Sequence, residues 1–130
     1  MAHEKTRPRP THAETAILQV LWERGPSTVR EVHEVLSAQR AIGYTTVLKL
    51  LQIMHEKGLV RRDESQRSHR YQAVSSQRRT QQQLVSELLE RAFGGSMRSL
   101  VMHALSSRKA SPEDLAEIRG LLDELEGRRS

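Results

Sequence analysis

Cysteine is absent from all 130 residues of the sequence, which removes disulfide frameworks, thiolate-held zinc or iron–sulfur centres and cysteine nucleophiles together. A reducing compartment suits such a chain. Aromatic side chains are almost as scarce: Trp22, Tyr44, Tyr71 and Phe93 are the whole set, so any core must be aliphatic and modest. No apolar run approaches the roughly 18 residues that a membrane span requires, and Met1 to Pro10 holds no apolar stretch that could serve as a signal-peptide core. The expectation is a soluble cytoplasmic protein with no membrane insertion. Length excludes the large barrel and doubly wound enzyme architectures and leaves one domain or two very small ones. The histidines, His3, His12, His33, His55, His69 and His103, form no close pair at ligand spacing, and no Ser/His/Asp set, glycine-rich phosphate loop or paired acids stand out. No enzyme activity, metal or cofactor is expected.

What is present is positive charge, and it is uneven. Residues 1–74 carry 12 basic and 8 acidic side chains, a net +4, whereas residues 75–130 carry 9 and 8, a net +1. The amino-terminal half is the better partner for a polyanion. Arginine outnumbers lysine 17 to 4, and arginine is the better bidentate ligand for phosphate and guanine.

Residues 1–10 have two prolines, alternating charges and no long hydrophobic segment, and read as a flexible basic arm. Ile17, Leu18, Leu21 and Trp22 then recur at helical spacing until Gly25-Pro26, predicting a first helix near Thr11 to Arg24. Thr28-Val29-Arg30-Glu31 has the form of a capping box, and Val29, Val32, Val35 and Leu36 give a second short helix. After a tight Ala38–Gly43 connection, Val47, Leu50, Leu51 and Met54 mark a third helix from about Thr45 to Lys57, stopped at Gly58. Leu59 to Asp63 and His69 to Val74 flank a polar turn and read as a hairpin. Beyond Ser75 the pattern is helical again. Leu84, Val85, Leu88, Leu89, Ala92 and Phe93 trace one stripe, Met97, Leu100, Val101, Ala104 and Leu105 a second that is expected to be buried, and Leu115, Ile118, Leu122 and Leu125 a third behind the Ser111-Pro112 helix start.

Three small helices followed by a basic hairpin is the order of a winged helix-turn-helix, whose third helix enters the major groove while the hairpin touches backbone. On the helical wheel, a core face of Val47, Leu50, Leu51 and Met54 turns Thr45, Lys49, Gln52 and Glu56 outward, with Thr46 and Ile53 on a flank. Thr45 and Thr46 can offer hydroxyls and methyl groups to bases or phosphates, Lys49 can reach guanine acceptors, and Tyr44 can stack or bond to phosphate. A solvated outer face would look the same on this helix alone. The hairpin adds Arg61, Arg62, Arg67, His69 and Arg70 within ten residues, against Asp63 and Glu64, and the combination favours DNA.

The stretches Thr11 to Trp22, Val29 to Glu34, Gly43 to Leu51, Glu56 to Val60, His69 to Tyr71 and Gly95 to Val101 resemble, in order and spacing, the penicillinase and methicillin-resistance repressor family of the BlaI/MecI type. The resemblance covers nearly the whole chain outside the arm. It implies a homodimeric winged-helix repressor on an inverted-repeat operator of double-stranded DNA, with Tyr44, Thr45, Thr46, Lys49, Arg67, His69 and Arg70 in the DNA-binding positions. It also implies inactivation by a membrane-bound metalloprotease sensor system that leads to cleavage at an Asn-Phe bond soon after Ser-Leu-Val; here Ser99-Leu100-Val101-Met102 leads to His103-Ala104 instead. Copper-responsive relatives use a carboxy-terminal cysteine motif, which a cysteine-free chain cannot supply.

The expected architecture is therefore mostly α: an arm at 1–10, a winged-helix DNA-binding domain at 11–74, and a small all-helical dimerisation domain at 75–130. Leu84, Leu88, Leu100, Val101, Leu115, Ile118, Leu122 and Leu125 are the expected dimer residues, because their stripes exceed what so short a helical unit buries alone. Two other readings stand beside the repressor: a one-component ligand-responsive winged-helix regulator, and a helical protein-interaction module with a merely solvated wing.

Overall fold

Each of the first two helices begins at a threonine that closes a reciprocal cap. In the computed structural model, which describes residues 9–129, α1 (His12–Arg24) starts at Thr11, whose hydroxyl accepts the Glu14 amide while the Glu14 carboxylate accepts the Thr11 amide. Thr28 and Glu31 repeat the arrangement for α2 (Val29–Ser37). Such caps satisfy amides that the helix itself leaves unpaired. The arm read at 1–10 lies outside the described residues except for Arg9 and Pro10.

α3 (Tyr44–Lys57) follows, then the hairpin strands β2 (Val60–Asp63) and β3 (Arg70–Ala73). Gly58 ends α3 with φ at 83° and ψ at 13°, the left-handed cap conformation that glycine adopts without a Cβ clash. A strand that the sequence does not announce, β1 (Ser27–Thr28), pairs antiparallel with β3, so the sheet has three strands in the order β1-β3-β2. Ser27 opposes Tyr71 and Thr28 opposes Arg70. The wing is thereby bonded to the start of α2.

The core is aliphatic, as the aromatic shortage requires. Ile17, Leu18, Val20 and Leu21 of α1 meet Val32 and Leu36 of α2, Val47, Leu51 and Met54 of α3, and Val60 and Tyr71 of the sheet. Leu50 is only half-buried, and the other three residues of its expected face are fully buried.

The described residues divide into two compact units between Val85 and Ser86, farther along the chain than the Val74/Ser75 boundary read from the sequence. The reason is that α4 (Gln77–Phe93) begins inside the first unit: Thr80 is buried, and the Trp22 indole N–H donates to the Ser75 carbonyl at 2.9 Å. The second unit holds the rest of α4 with α5 (Met97–Ser107) and α6 (Pro112–Arg129). None of its residues 86–128 is buried in the single chain. Of the stripe expected to be buried, Leu100 is half-buried in the single chain, and Met97, Val101, Ala104 and Leu105 are exposed, Met97 by 65 %. Two helices and the end of a third offer too little opposing surface to enclose a stripe on each.

Candidate nucleic-acid interface

The outward side of α3 is polar along its length. Tyr44, Thr45, Thr46, Lys49, Gln52 and Glu56 are all exposed, opposite the buried Val47, Leu51 and Met54. Tyr44 is the first residue of the helix rather than the residue before it. Its ring meets that of His33 edge-on at 5.9 Å, and His33 Nε2–H donates to the Ile42 carbonyl at 3.0 Å. One half-buried histidine therefore fixes both the loop entering α3 and the aromatic ring at its start. Gly43 supplies no side-chain cap, so the first-turn amides of α3 remain available to an outside acceptor such as phosphate.

Between this helix and the wing runs a cleft of about 550 Å³, lined by Thr28, Val29, Arg30, Tyr44, Leu48, Gln52, Arg62, Arg67, Ser68, His69 and Tyr71. Four of these residues carry or can carry positive charge, and none is acidic. Their surroundings differ. Arg62 Nε donates to Glu64 at 2.6 Å, and hydrogen bonds to Tyr71 and Glu64 raise its pKa further above the ordinary arginine value. Arg67 and His69 lie exposed in the turn, with the Asp63 carboxylate close enough to feel the His69 ring. Asp63 is occupied within the turn: the Ser65 amide donates to it at 2.9 Å and holds its carboxyl below the usual range.

Arg70 is placed differently from its neighbours. Its guanidinium lies 3.4 Å from the Glu31 carboxylate and does not line the cleft. Thus Tyr44, Arg67 and His69 come together on one cleft, Thr45, Thr46 and Lys49 share the open face of α3, and Arg70 turns to the base of the wing.

The penicillinase repressor family model matches residues 10–124. The chain belongs to that family. The transcriptional regulator BlaI of Mycobacterium tuberculosis is 37 % identical over 115 residues, covering 87 % of this chain and 82 % of the relative. A penicillinase repressor of Staphylococcus aureus is 18 % identical over 113 residues, 87 % of this chain and 90 % of its own. A MarR family protein from Bacillus stearothermophilus shares the fold at a TM-score of 0.50 and 20 % identity, over 92 % of this chain and 74 % of that one.

Among the cleft residues that were not contact candidates in the sequence are Gln52, Arg30 and Ser68. Gln52 was legible as an outward wheel position, one turn beyond Lys49. Arg30 was not, because only the folded pairing of β1 with β3 brings the start of α2 to the wing, and Ser68 lies in the wing turn between the candidates Arg67 and His69 with no charge of its own to mark it. Of the expected dimer residues, Leu88, Val101, Leu122 and Leu125 are exposed and Leu84, Leu100, Leu115 and Ile118 half-buried. His103 and Ala104 lie exposed on α5, where His103 Nδ1–H donates to the Ser99 carbonyl at 2.9 Å and its ring meets Phe93 at 5.6 Å. Among the described residues no group of three potential ligands could hold a metal ion, and no helix is long and apolar enough to cross a membrane.

Proposed function

We propose that the chain is a cytoplasmic transcriptional repressor that binds inverted-repeat operator DNA as a homodimer and is released when its carboxy-terminal helices separate. The observation that carries this reading is the acid-free cleft between α3 and the wing, lined by Tyr44, Arg67 and His69, in a member of the penicillinase repressor family. α3 enters the major groove with Thr45, Thr46 and Lys49 toward the base edges, while Arg67 and His69 meet phosphates of the adjacent backbone. Apolar faces of α4, α5 and α6 join two copies, and the operator's symmetry follows from theirs.

Salt dependence tests the central claim. Neutralised phosphates release counterions, so affinity should fall steeply with added salt, whereas an apolar helix module is nearly indifferent. Arg67→Ala should weaken operator and random DNA alike and reduce the salt slope by about one unit, while Thr46→Ala or Lys49→Ala should cost about 1 to 3 kcal/mol mainly on operator. Equal losses on both DNAs for every α3 variant would remove base reading from that helix. For release, an engineered protease site between Val101 and Leu105 should end tight operator binding once cut. Undiminished binding after complete cleavage would assign release to some event at the winged-helix unit, and would separate this chain from the protease-sensor route its resemblance implies.

A further inference from the structure

Glu31 gathers three segments of the winged-helix unit at one carboxylate. Its Oε1 accepts the Thr28 amide at 2.9 Å and lies 3.4 Å from Arg70 Nη1, and its Oε2 lies 3.6 Å from Arg24 Nη2. Thr28 caps α2, Arg24 stands in the last turn of α1, and Arg70 opens β3. Thr28 and Arg70 are also register partners across the β1–β3 pairing. That pairing is two residues long, too short to hold a hairpin at a fixed angle by its backbone bonds alone. Arg70 meanwhile stays out of the cleft that its neighbours Arg67, Ser68 and His69 line.

We infer that Glu31 is a positioning residue that sets the wing against α3, and that Arg70 serves it as a strut rather than as a phosphate ligand. This rests on the DNA-binding reading. With α3 seated in the major groove, the angle of the wing decides which phosphates Arg67 and His69 can reach. A loosened wing costs the specific complex, whose register is fixed by base contacts, and spares the non-specific complex, which can settle in any register. A phosphate ligand behaves otherwise, because its loss weakens binding to every sequence and flattens the salt dependence. The carboxylate's lowered pKa, caused first by the Thr28 backbone bond and then by Arg70 and Arg24 against the opposing effect of burial, agrees with a held anion.

The test uses the full-length protein with two duplexes: the one that wild-type protein enriches most from a randomised pool, and a scrambled version of it. Arg70→Ala should reduce affinity for the enriched duplex by about tenfold, the size of one spoiled base contact, with the scrambled duplex and the salt slope unchanged. Glu31→Gln keeps an oxygen for the Thr28 amide but drops the charge that holds both arginines, and should give the same loss. The double variant should be no worse than either alone, and Arg70→Lys should recover part of the affinity. The inference is overturned if Arg70→Ala weakens both duplexes and flattens the salt slope while Glu31→Gln tightens binding. It is overturned equally if either variant lowers only thermal stability and leaves both affinities intact. Failure of the wild-type protein to enrich any duplex would remove the DNA-binding reading itself, an outcome visible before any variant is made.

Discussion

A carboxylate buried as deeply as Glu14, whose side chain is 3 % exposed, must have its charge matched. Oε1 accepts both the Thr11 amide at 2.9 Å and Lys57 Nζ at 2.7 Å, so one oxygen starts α1 and ties it to the last turn of α3. Glu14→Gln should keep the cap and leave Lys57, itself partly exposed, to turn toward water, costing about 1 kcal/mol. Lys57→Met should cost more, about 3 kcal/mol, because it strands the buried carboxylate. Urea unfolding of the two variants checks the order, and the reverse order would show that the lysine contributes little. Glu31 makes a pH prediction of known sign. Its carboxyl is held below the ordinary range by the Thr28 backbone bond, with Arg70 and Arg24 adding to it, so its contribution to stability is present above the ordinary carboxylate pKa and is lost as pH falls through the lowered value. The gap in Tm between wild type and Glu31→Gln should be widest near neutrality and close in acid; a gap constant with pH would refute a charge-dependent role. Neither pairing was legible in the sequence. Thr28 and Glu31 announced a cap because they stand three positions apart, whereas Glu14 finds Lys57 at a separation of 43 and Arg70 finds Glu31 at 39.

Secondary-structure elements were readable where their signals are local. The stripes of α1 to α3, the stops at Gly25-Pro26 and Gly58, and the Ser111-Pro112 start all lie within one or two turns of what they control, and the structure has each of them. β1 was not readable. Two residues have no propensity signal of their own, and their extended form is sustained by β3, which lies more than forty residues later in the chain. The two stops also differ in kind. Gly58 is in the left-handed helical region, which asparagine and occasionally other residues tolerate, whereas Gly25, at φ 86° and ψ −163°, is in a region essentially reserved for glycine. A Cβ at either position meets nothing within 4 Å, so the cost of alanine there is backbone strain alone. Gly58→Ala should cost about 1 kcal/mol and Gly25→Ala about 2 to 3 kcal/mol. Thermal unfolding ranks them, and equal costs would mean that the chain relaxes around Gly25.

At the scale of the molecule, the two units follow different rules of assembly. The first encloses Ile17, Val32, Val47, Leu51 and Met54 completely; the second encloses none of its described side chains, and leaves Leu121 and Leu122 each 54 % exposed beside Leu125, with Met97, Val101 and Met102 open on α5. The helical stripes were legible in the sequence, whereas their exposure in the single chain was not, because it depends on how little opposing surface α4, α5 and α6 give one another. Apolar exposure on this scale marks an interaction face. A second copy is the occupant that the operator reading requires, since two weakly held half-sites become one tight site only while a tether keeps the second contact at high effective concentration. The fragment that tests this must end at Val85. A cut at Val74 would remove Ser75, which receives the Trp22 indole, and the buried Thr80, and so would damage the winged-helix unit as well. Residues 1–85 should sediment as a monomer at micromolar concentration, keep their fold, and bind a half-operator with unchanged affinity while losing the tight binding of the full operator. The full chain should sediment as a dimer, and Leu121→Lys with Leu125→Lys should shift it toward monomer and lower full-operator affinity to that of the fragment. A dimeric 1–85 fragment would move the interface into the winged-helix unit, and a monomeric full chain that still binds the full operator tightly would show that the exposed stripes on α4 to α6 serve some partner other than a second copy.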